Sequence, residues 1–224
     1  MSKKLVIFGT SELAQVLKFH IDKELEYDLI AFCVDNEYFK EKALLGIPVM
    51  PFSIFLETFA CEDVFVIVAI GYSKLNATRT QLYNRLKHLG YRFTTYISPT
   101  SKCYADYIGE NTIILEDNLI EPYTTIGNNV IIWAKNTISH HCKILDNVFI
   151  SSHVDICGKT TIQNNTFIGA NTIIADHIEV GKKCIIGAGC KIFKNLRDDS
   201  LVLETGTRIS KMSAKQFINL DIMF

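Results

Sequence analysis

From residue 108 onward one aliphatic side chain recurs at every sixth position. Ile108, Ile114, Ile120 and their successors up to Ile192 fill fifteen consecutive steps without a slip, with Val180 the single valine. Four residues after most of them stands a small or β-branched residue, such as Thr112, Val130, Cys142, Thr160 or Cys184. An amphipathic helix needs apolar spacings of three and four, and a half-buried strand alternates with period two, so a strict six fits neither. It fits a short strand followed by a corner, three of which close a triangular coil of about 18 residues. Coils stacked about 4.8 Å apart bury ladders of aliphatics, which is the hexapeptide pattern of a parallel β-helix. Gly127-Asn128-Asn129, Gln163-Asn164-Asn165 and Gly181-Lys182-Lys183 supply turn residues at the corners. Residues 98–195 then hold roughly five coils.

The first hundred residues follow other periods. Residues 4–8 form a short apolar strand, Gly9-Thr10-Ser11 a turn, and residues 12–21 a helix with Leu13, Val16, Leu17 and Ile21 on one face. A second strand over 29–35 ends in Asp35, a third over 64–70 ends at Gly71, and a helix over 73–88 precedes a strand over 91–97. This alternation predicts a small parallel α/β sheet of Rossmann type over residues 1–97, with Ser98-Pro99-Thr100 at the boundary. Residues 196–224, where the period fails, are expected to cap the last coil with a short helix around 213–219.

Composition narrows the partners. Among 224 residues, 48% are hydrophobic, enough for a substantial core, and 23 Lys and Arg stand against 24 Asp and Glu. With no run of one sign, nothing recommends nucleic acid or an anionic membrane, and the expected partners are a small molecule and further copies of the chain. No stretch approaches the roughly 18 apolar residues of a membrane span, and the start has only about six apolar residues before its turn, so a cytoplasmic protein is expected. Seven cysteines without a CxxC pair argue for buried thiols, with no disulfide framework and no metal.

Folding the repeat into three sides stacks residues 18 apart. Gly169-Ala170 then lies below Gly187-Ala188-Gly189, a strip nearly free of side chains along which a long thin ligand would meet exposed backbone; tight corners alone would also favour these residues. On another side, Ser139-His140-His141-Cys142 forms a corner whose two imidazoles point outward. His153, on the adjoining side, is a second candidate. An imidazole with a reference pKa near 6.5 is suited to general base work at neutral pH.

The GTSELA turn, the strand ending in Asp35, GYSKLNATR, ISPTS, a corner of the form IxHxC, FIGA and then IIGAGC resemble, in that order, the NeuD/PglD-like sugar O- and N-acyltransferases along the whole chain. The resemblance implies a left-handed β-helix working as a homotrimer. Acetyl-CoA, as cosubstrate, would lie between adjacent helices, and a nucleotide-linked sugar would dock on the N-terminal domain. It implies a general base at His140, with His141 and His153 near the chemistry, and nucleotide contacts at Gly9, Thr10, Ser11, Asp35 and Gly71. CoA would lie along the backbone of Gly158, Gly169, Ala170, Gly187 and Ala188. N-acetylation of a dTDP-, UDP- or GDP-linked amino sugar for surface-glycan (O-antigen) synthesis is the expected reaction.

Three features depart from that pattern. A first turn close to GxGGxA is here Gly9-Thr10-Ser11-Glu12-Leu13-Ala14, and a closing GNPA-like segment is Glu204-Thr205-Gly206-Thr207. The acidic residue expected after the base is His141, which leaves Asp155 or Glu121 to orient His140. O-acetylation and a non-catalytic scaffold or sugar-binding subunit remain as alternatives. A zinc hydratase on the same helix would need three histidines. His141 and His177 align, but a third ligand five residues on would be Lys182, and the N-terminal domain has no place there.

Overall fold

The computed structural model describes residues 3–23 and 26–204; the expected cap helix at 213–219 lies outside them. The N-terminal part runs β1 (Lys3–Phe8), α1 (Glu12–Ile21), β2 (Tyr27–Val34), β3 (Ala43–Leu44), β4 (Ile47–Pro51), α2 (Phe52–Thr58), β5 (Phe65–Val68), α3 (Ala77–His88) and β6 (Arg92–Phe93). These strands form one sheet in the order β3-β4-β2-β1-β5-β6, parallel except for the β3–β4 hairpin at its edge. Leu5, Val6, Ile7 and Phe8 are wholly buried, as a central parallel strand covered on both faces must be. The hairpin and α2 were not legible as periodic segments: each is short, and α2 buries only Phe55 fully.

The sheet is followed by a left-handed parallel β-helix of two-residue strands in three sheets. Ile114, Ile132, Ile150, Ile168 and Ile186 pair in register at the 18-residue step and are wholly buried, one ladder of the three. The chain turns each corner through a residue in the left-handed region, every sixth position from Asn111 to Lys183, with φ between 54° and 64°. Asparagine, aspartate and histidine adopt this conformation most readily among residues with a side chain, and His141, His153 and His177 all stand there.

Strand pairing carries the helix past the expected limits. Tyr96–Ile97 pairs with Ile113–Ile114, so the tail of the predicted 91–97 strand is the first rung of the helix and only Arg92–Phe93 joins the α/β sheet. At the far end Leu201–Val202 pairs with Ile185–Ile186, two residues short of the repeat. That shortened coil is why the hexapeptide period fails after Ile192 although the helix goes on.

The N-terminal domain packs against one helix face through Ile113, Ile131, Phe149 and Phe167. Tyr72 joins them, its ring 5.0 Å from Phe149 and 4.8 Å from Phe167. Along the adjoining corner Asn111, Asn129 and Asn147 form a ladder, each amide nitrogen donating to the next Oδ1 at 2.7 Å, while Asn111 Oδ1 accepts the Val68 N–H of β5. Arg79 of α3, fully buried, donates to the carbonyls of Gly71 (2.9 Å), Asn147 (3.0 Å) and Asn129 (3.3 Å) and to Asn76 Oδ1 (3.1 Å). Burial pulls its guanidinium down to about 9, which still leaves it charged at neutral pH. A buried cation surrounded by carbonyls that lack other strong donors fixes how the two domains sit.

Candidate active site

Ile138 and Cys142 both point inward and are wholly buried, which turns the intervening His140 and His141 outward. The His140 N–H donates to Glu121 Oε2 of the coil below at 2.8 Å, and its carbonyl accepts the Lys159 N–H of the coil above at 3.0 Å. Gly158 lies directly against the ring: a Cβ there would stand 2.8 Å from His140 Cε1 and 3.1 Å from Nε2. The imidazole therefore occupies space that any other residue at 158 would take.

His141, at φ 60°, turns its ring edge-on to that of His140, with the two Nδ1 atoms 3.1 Å apart. The other side of His141 packs on Tyr123, ring centres 4.7 Å apart. Of the two groups expected to orient the base, Glu121 is committed to the backbone, and Asp155 faces outward beside Thr137 on a neighbouring rung. The ring partner of His140 is the residue that replaces the expected acid.

His153 occupies a different corner, between Phe149–Ile150 and Asp155–Ile156, exposed and with φ 59°. Gly169, Ala170, Gly187 and Ala188 stack along that same corner. Gly169 is buried, and a Cβ on it would meet Ala188 N at 2.5 Å, so coil stacking itself requires this glycine. Leu203 of the final rung lies 3.3 Å from where a Gly187 Cβ would be, whereas Gly189, at φ 76°, has open space there. The bare strip is thus Ala170, Ala188 and Gly189. Among the described residues, no backbone carbonyl accepts from the N–H of Gly158 or of Ala170. Within one chain the structure brings together His140, His141 and Gly158 at one edge, and His153 with the glycine strip at another.

In the N-terminal domain, Gly9, Thr10, Ser11 and Asp35 follow the ends of β1 and β2, the edge of a parallel sheet where ligands bind. Gly9 has φ 119°, and a Cβ on it would stand 2.7 Å from the Ala69 carbonyl oxygen, so strand approach and backbone conformation both demand glycine. Ser11 precedes α1 with its hydroxyl bonded to no helix N–H. Thr10 lines a cleft of about 300 Å³ with Gln15, Tyr38, Lys40 and Glu41. Asp35 pairs with Arg85, which lies 4.0 Å over the Phe52 ring, and these form an adjoining recess. The Gly71 carbonyl, by contrast, is occupied by Arg79 at the domain junction. Arg85, Tyr38 and Lys40 carried no sequence signal, because nothing in a one-dimensional pattern brings α3 and the β2–β3 connection to one cleft.

The cysteines are free thiols. Cys142 is wholly buried; burial pushes its thiol up to about 11, and it donates to the Cys157 carbonyl at 3.2 Å. It packs the core, where burial disfavours the thiolate. Among the described residues, no three His, Cys, Asp or Glu side chains converge as metal ligands, and no helix is long and apolar enough to cross a membrane.

An α/β domain with a cleft at its strand ends, joined to a left-handed helix carrying an exposed histidine pair, defines a hexapeptide-repeat transferase architecture. Residues 4–86 match the PglD N-terminal domain, and residues 159–194 match the bacterial transferase hexapeptide of six repeats. The two matches, in this order along the chain, agree with its resemblance to the NeuD/PglD-like acyltransferases. Among solved structures it is similar to the acetyltransferase domain of PglB from Neisseria gonorrhoeae FA1090, with 23% identity over 89% of this chain and 96% of that one and a TM-score of 0.81. The same domain in complex with acetyl coenzyme A gives 21% identity, 90% and 96% coverage and a TM-score of 0.80. PerB from Caulobacter crescentus in complex with CoA and GDP-perosamine gives 21% identity, 88% and 92% coverage and a TM-score of 0.77. No curated protein sequence matches the chain.

Proposed function

We propose that this chain is an acetyl-CoA-dependent N-acetyltransferase acting on the amino group of a nucleotide-linked sugar in surface-glycan synthesis, in the cytoplasm, with His140 as general base. The observation that carries the reading is the exposed His140 ring, seated on Gly158, with its Nδ1 tied to His141. A ring held by one nitrogen offers the other, Nε2, to a substrate. The related PglB domain and PerB, described as binding acetyl-CoA, or CoA and a nucleotide sugar, support the choice of substrates.

As the acceptor amine attacks the thioester carbonyl, His140 Nε2 takes the amine proton. Collapse of the tetrahedral intermediate breaks the C–S bond, and the departing thiolate recovers the proton from His140. A free N–H at Gly158 or Ala170 would stabilise the oxyanion, worth on the order of 3 kcal/mol. Direct transfer needs no acyl-cysteine. The cleft at Thr10 and the Asp35–Arg85 recess would hold the nucleotide, with Lys40 and Arg85 as cations within reach of its phosphates. The bare strip beside His153 would take CoA. Because that strip and His140 lie on different edges of one prism, the reading requires a neighbouring copy to supply the strip, and the assembly proposed is a homotrimer.

The test is thiol release from acetyl-CoA across a panel of nucleotide-linked amino sugars and their hydroxyl counterparts, with the molar mass measured by sedimentation. Turnover with an amino sugar by a trimer is expected. Turnover with hydroxyl acceptors alone would make the chain an O-acetyltransferase, and sugar binding without any thiol release would make it a scaffold.

A further inference from the structure

Resting on His140 as the base, we propose that His141 is its positioning residue: His141 Nδ1 accepts the His140 Nδ1–H, which keeps the His140 Nε2 lone pair free, and the His141 ring receives positive charge during transfer. Two nitrogens 3.1 Å apart share one proton. In the neutral pair that proton belongs to one ring or the other. Where His140 donates, its Nε2 is basic; where His140 accepts, its own proton sits on Nε2 and it cannot act as base there. The direction of this one hydrogen bond therefore switches the site between competent and incompetent.

The surroundings fix the pair in place. The His140 ring lies in the space that Gly158 leaves open, Glu121 holds the His140 backbone, and Tyr123 packs on His141. The left-handed conformation at 141 aims that side chain back toward His140. Proton flow then balances along the pair. The amine N–H proton passes to His140 Nε2, and the His140 Nδ1 proton passes to His141 Nδ1. The amine lone pair forms the C–N bond, and both shifts reverse as the thiolate leaves. The titratable groups around the pair are Glu121 and Tyr123 on the coil below, Cys157 and Lys159 on the coil above, and the Asp176–His177 pair (2.9 Å) one coil further. Glu121 meets the pair through the His140 backbone N–H.

Two substitutions fit the corner without backbone strain: His141→Gly removes the partner, and His141→Asp supplies a fixed acceptor, as Asp117 already stands in this conformation at φ 57°. Thermal melting of both full-length variants checks their fold. Long-range ¹⁵N NMR of the imidazoles should find His140 as the Nδ1–H tautomer in the unaltered protein and in His141→Asp, but not in His141→Gly. Steady-state kinetics should show kcat falling about tenfold in His141→Gly with KM for both substrates held, and recovering in His141→Asp. A carboxylate favours the imidazolium, so in His141→Asp the acid limb of kcat/KM should move up by about one pH unit. An Nε2–H tautomer at His140 in the unaltered protein, or His141→Gly with unchanged kcat and pH profile, overturns the proposal. Full kcat in His140→Ala would instead overturn the base assignment, while the NMR would still report whether the two rings are bonded.

Discussion

At the scale of single residues, the place of the proposed base, His140, is set by the absence of a side chain one coil away. Gly158 has no Cβ where the His140 ring lies, so Gly158→Ala would place a methyl group 2.8 Å from His140 Cε1 and displace the ring. We expect kcat to fall about tenfold or more while melting temperature changes little, since the ring is exposed and can swing outward. His140→Ala should lower kcat by about 100-fold or more with nucleotide-sugar affinity unchanged; full retention would remove it as the base. The histidine at the corner was legible in the sequence, because Ile138 and Cys142 announce two inward positions and leave only outward ones between them. Its seat and its partner were not. The 18-residue step stacks Gly158 over His140, but that the ring leans onto that glycine, and whether Glu121, Asp155 or His141 meets it, depends on side-chain rotamers, which no periodicity encodes.

At the scale of elements, the rung is the unit, and equivalent positions on successive coils can be exchanged. Cys142 stands between Thr124 and Thr160 in one column, and all three donate to a carbonyl of the coil above, at 3.0 Å from Thr124 to Ser139, 3.2 Å from Cys142 to Cys157 and 2.9 Å from Thr160 to Ala175. Cys142→Thr should therefore keep kcat within about twofold of the unaltered enzyme; a collapse as deep as that of His140→Ala would mean that the thiol takes part in chemistry. The two-residue strands from Tyr107–Ile108 to Lys191–Ile192 could be read directly from the sequence, since each carries an aliphatic at the sixth step. Among the α/β elements, α1 matches its expected span and β5 lies within its own, whereas the β3–β4 hairpin and α2 show no apolar period of their own.

For the whole molecule, the proposed function depends on how the cleft at Thr10 is held against the helix, and that hold is polar. Replacing Arg79 by Leu would leave the carbonyls of Gly71, Asn129 and Asn147 buried without their donor, at a cost of about 2–4 kcal/mol, readable as a lower melting temperature. A second link joins α3 to the corner at 110: Glu110 accepts from Lys87 and from Tyr83, each at 2.5 Å. Burial pushes the Glu110 carboxyl up, but the hydrogen bonds from Lys87 and Tyr83 outweigh it and hold the group below its ordinary value. A depressed carboxyl stabilises the fold above its unfolded pKa of about 4.5 and loses that contribution as pH falls through the lower folded value. Glu110→Gln should accordingly lower the melting temperature at pH 7, and the difference should close toward pH 3. None of this junction was legible in the sequence: a buried arginine reads like any helical cation until the Asn111–Asn129–Asn147 ladder stands opposite it.

The left-handed turn at every sixth residue also limits what evolution can try at the site. Position 141 is one of the every-sixth corner residues, whose backbone admits asparagine, aspartate, histidine, lysine, tyrosine and, at no cost, glycine, but penalises valine, isoleucine and threonine. The neighbour of the base is thus drawn from a short alphabet in which most letters carry a hydrogen-bonding head. Under drift alone, this corner would go on presenting polar groups to His140, so the proton affinity of the base can be retuned by a single codon without rebuilding the coil that carries it.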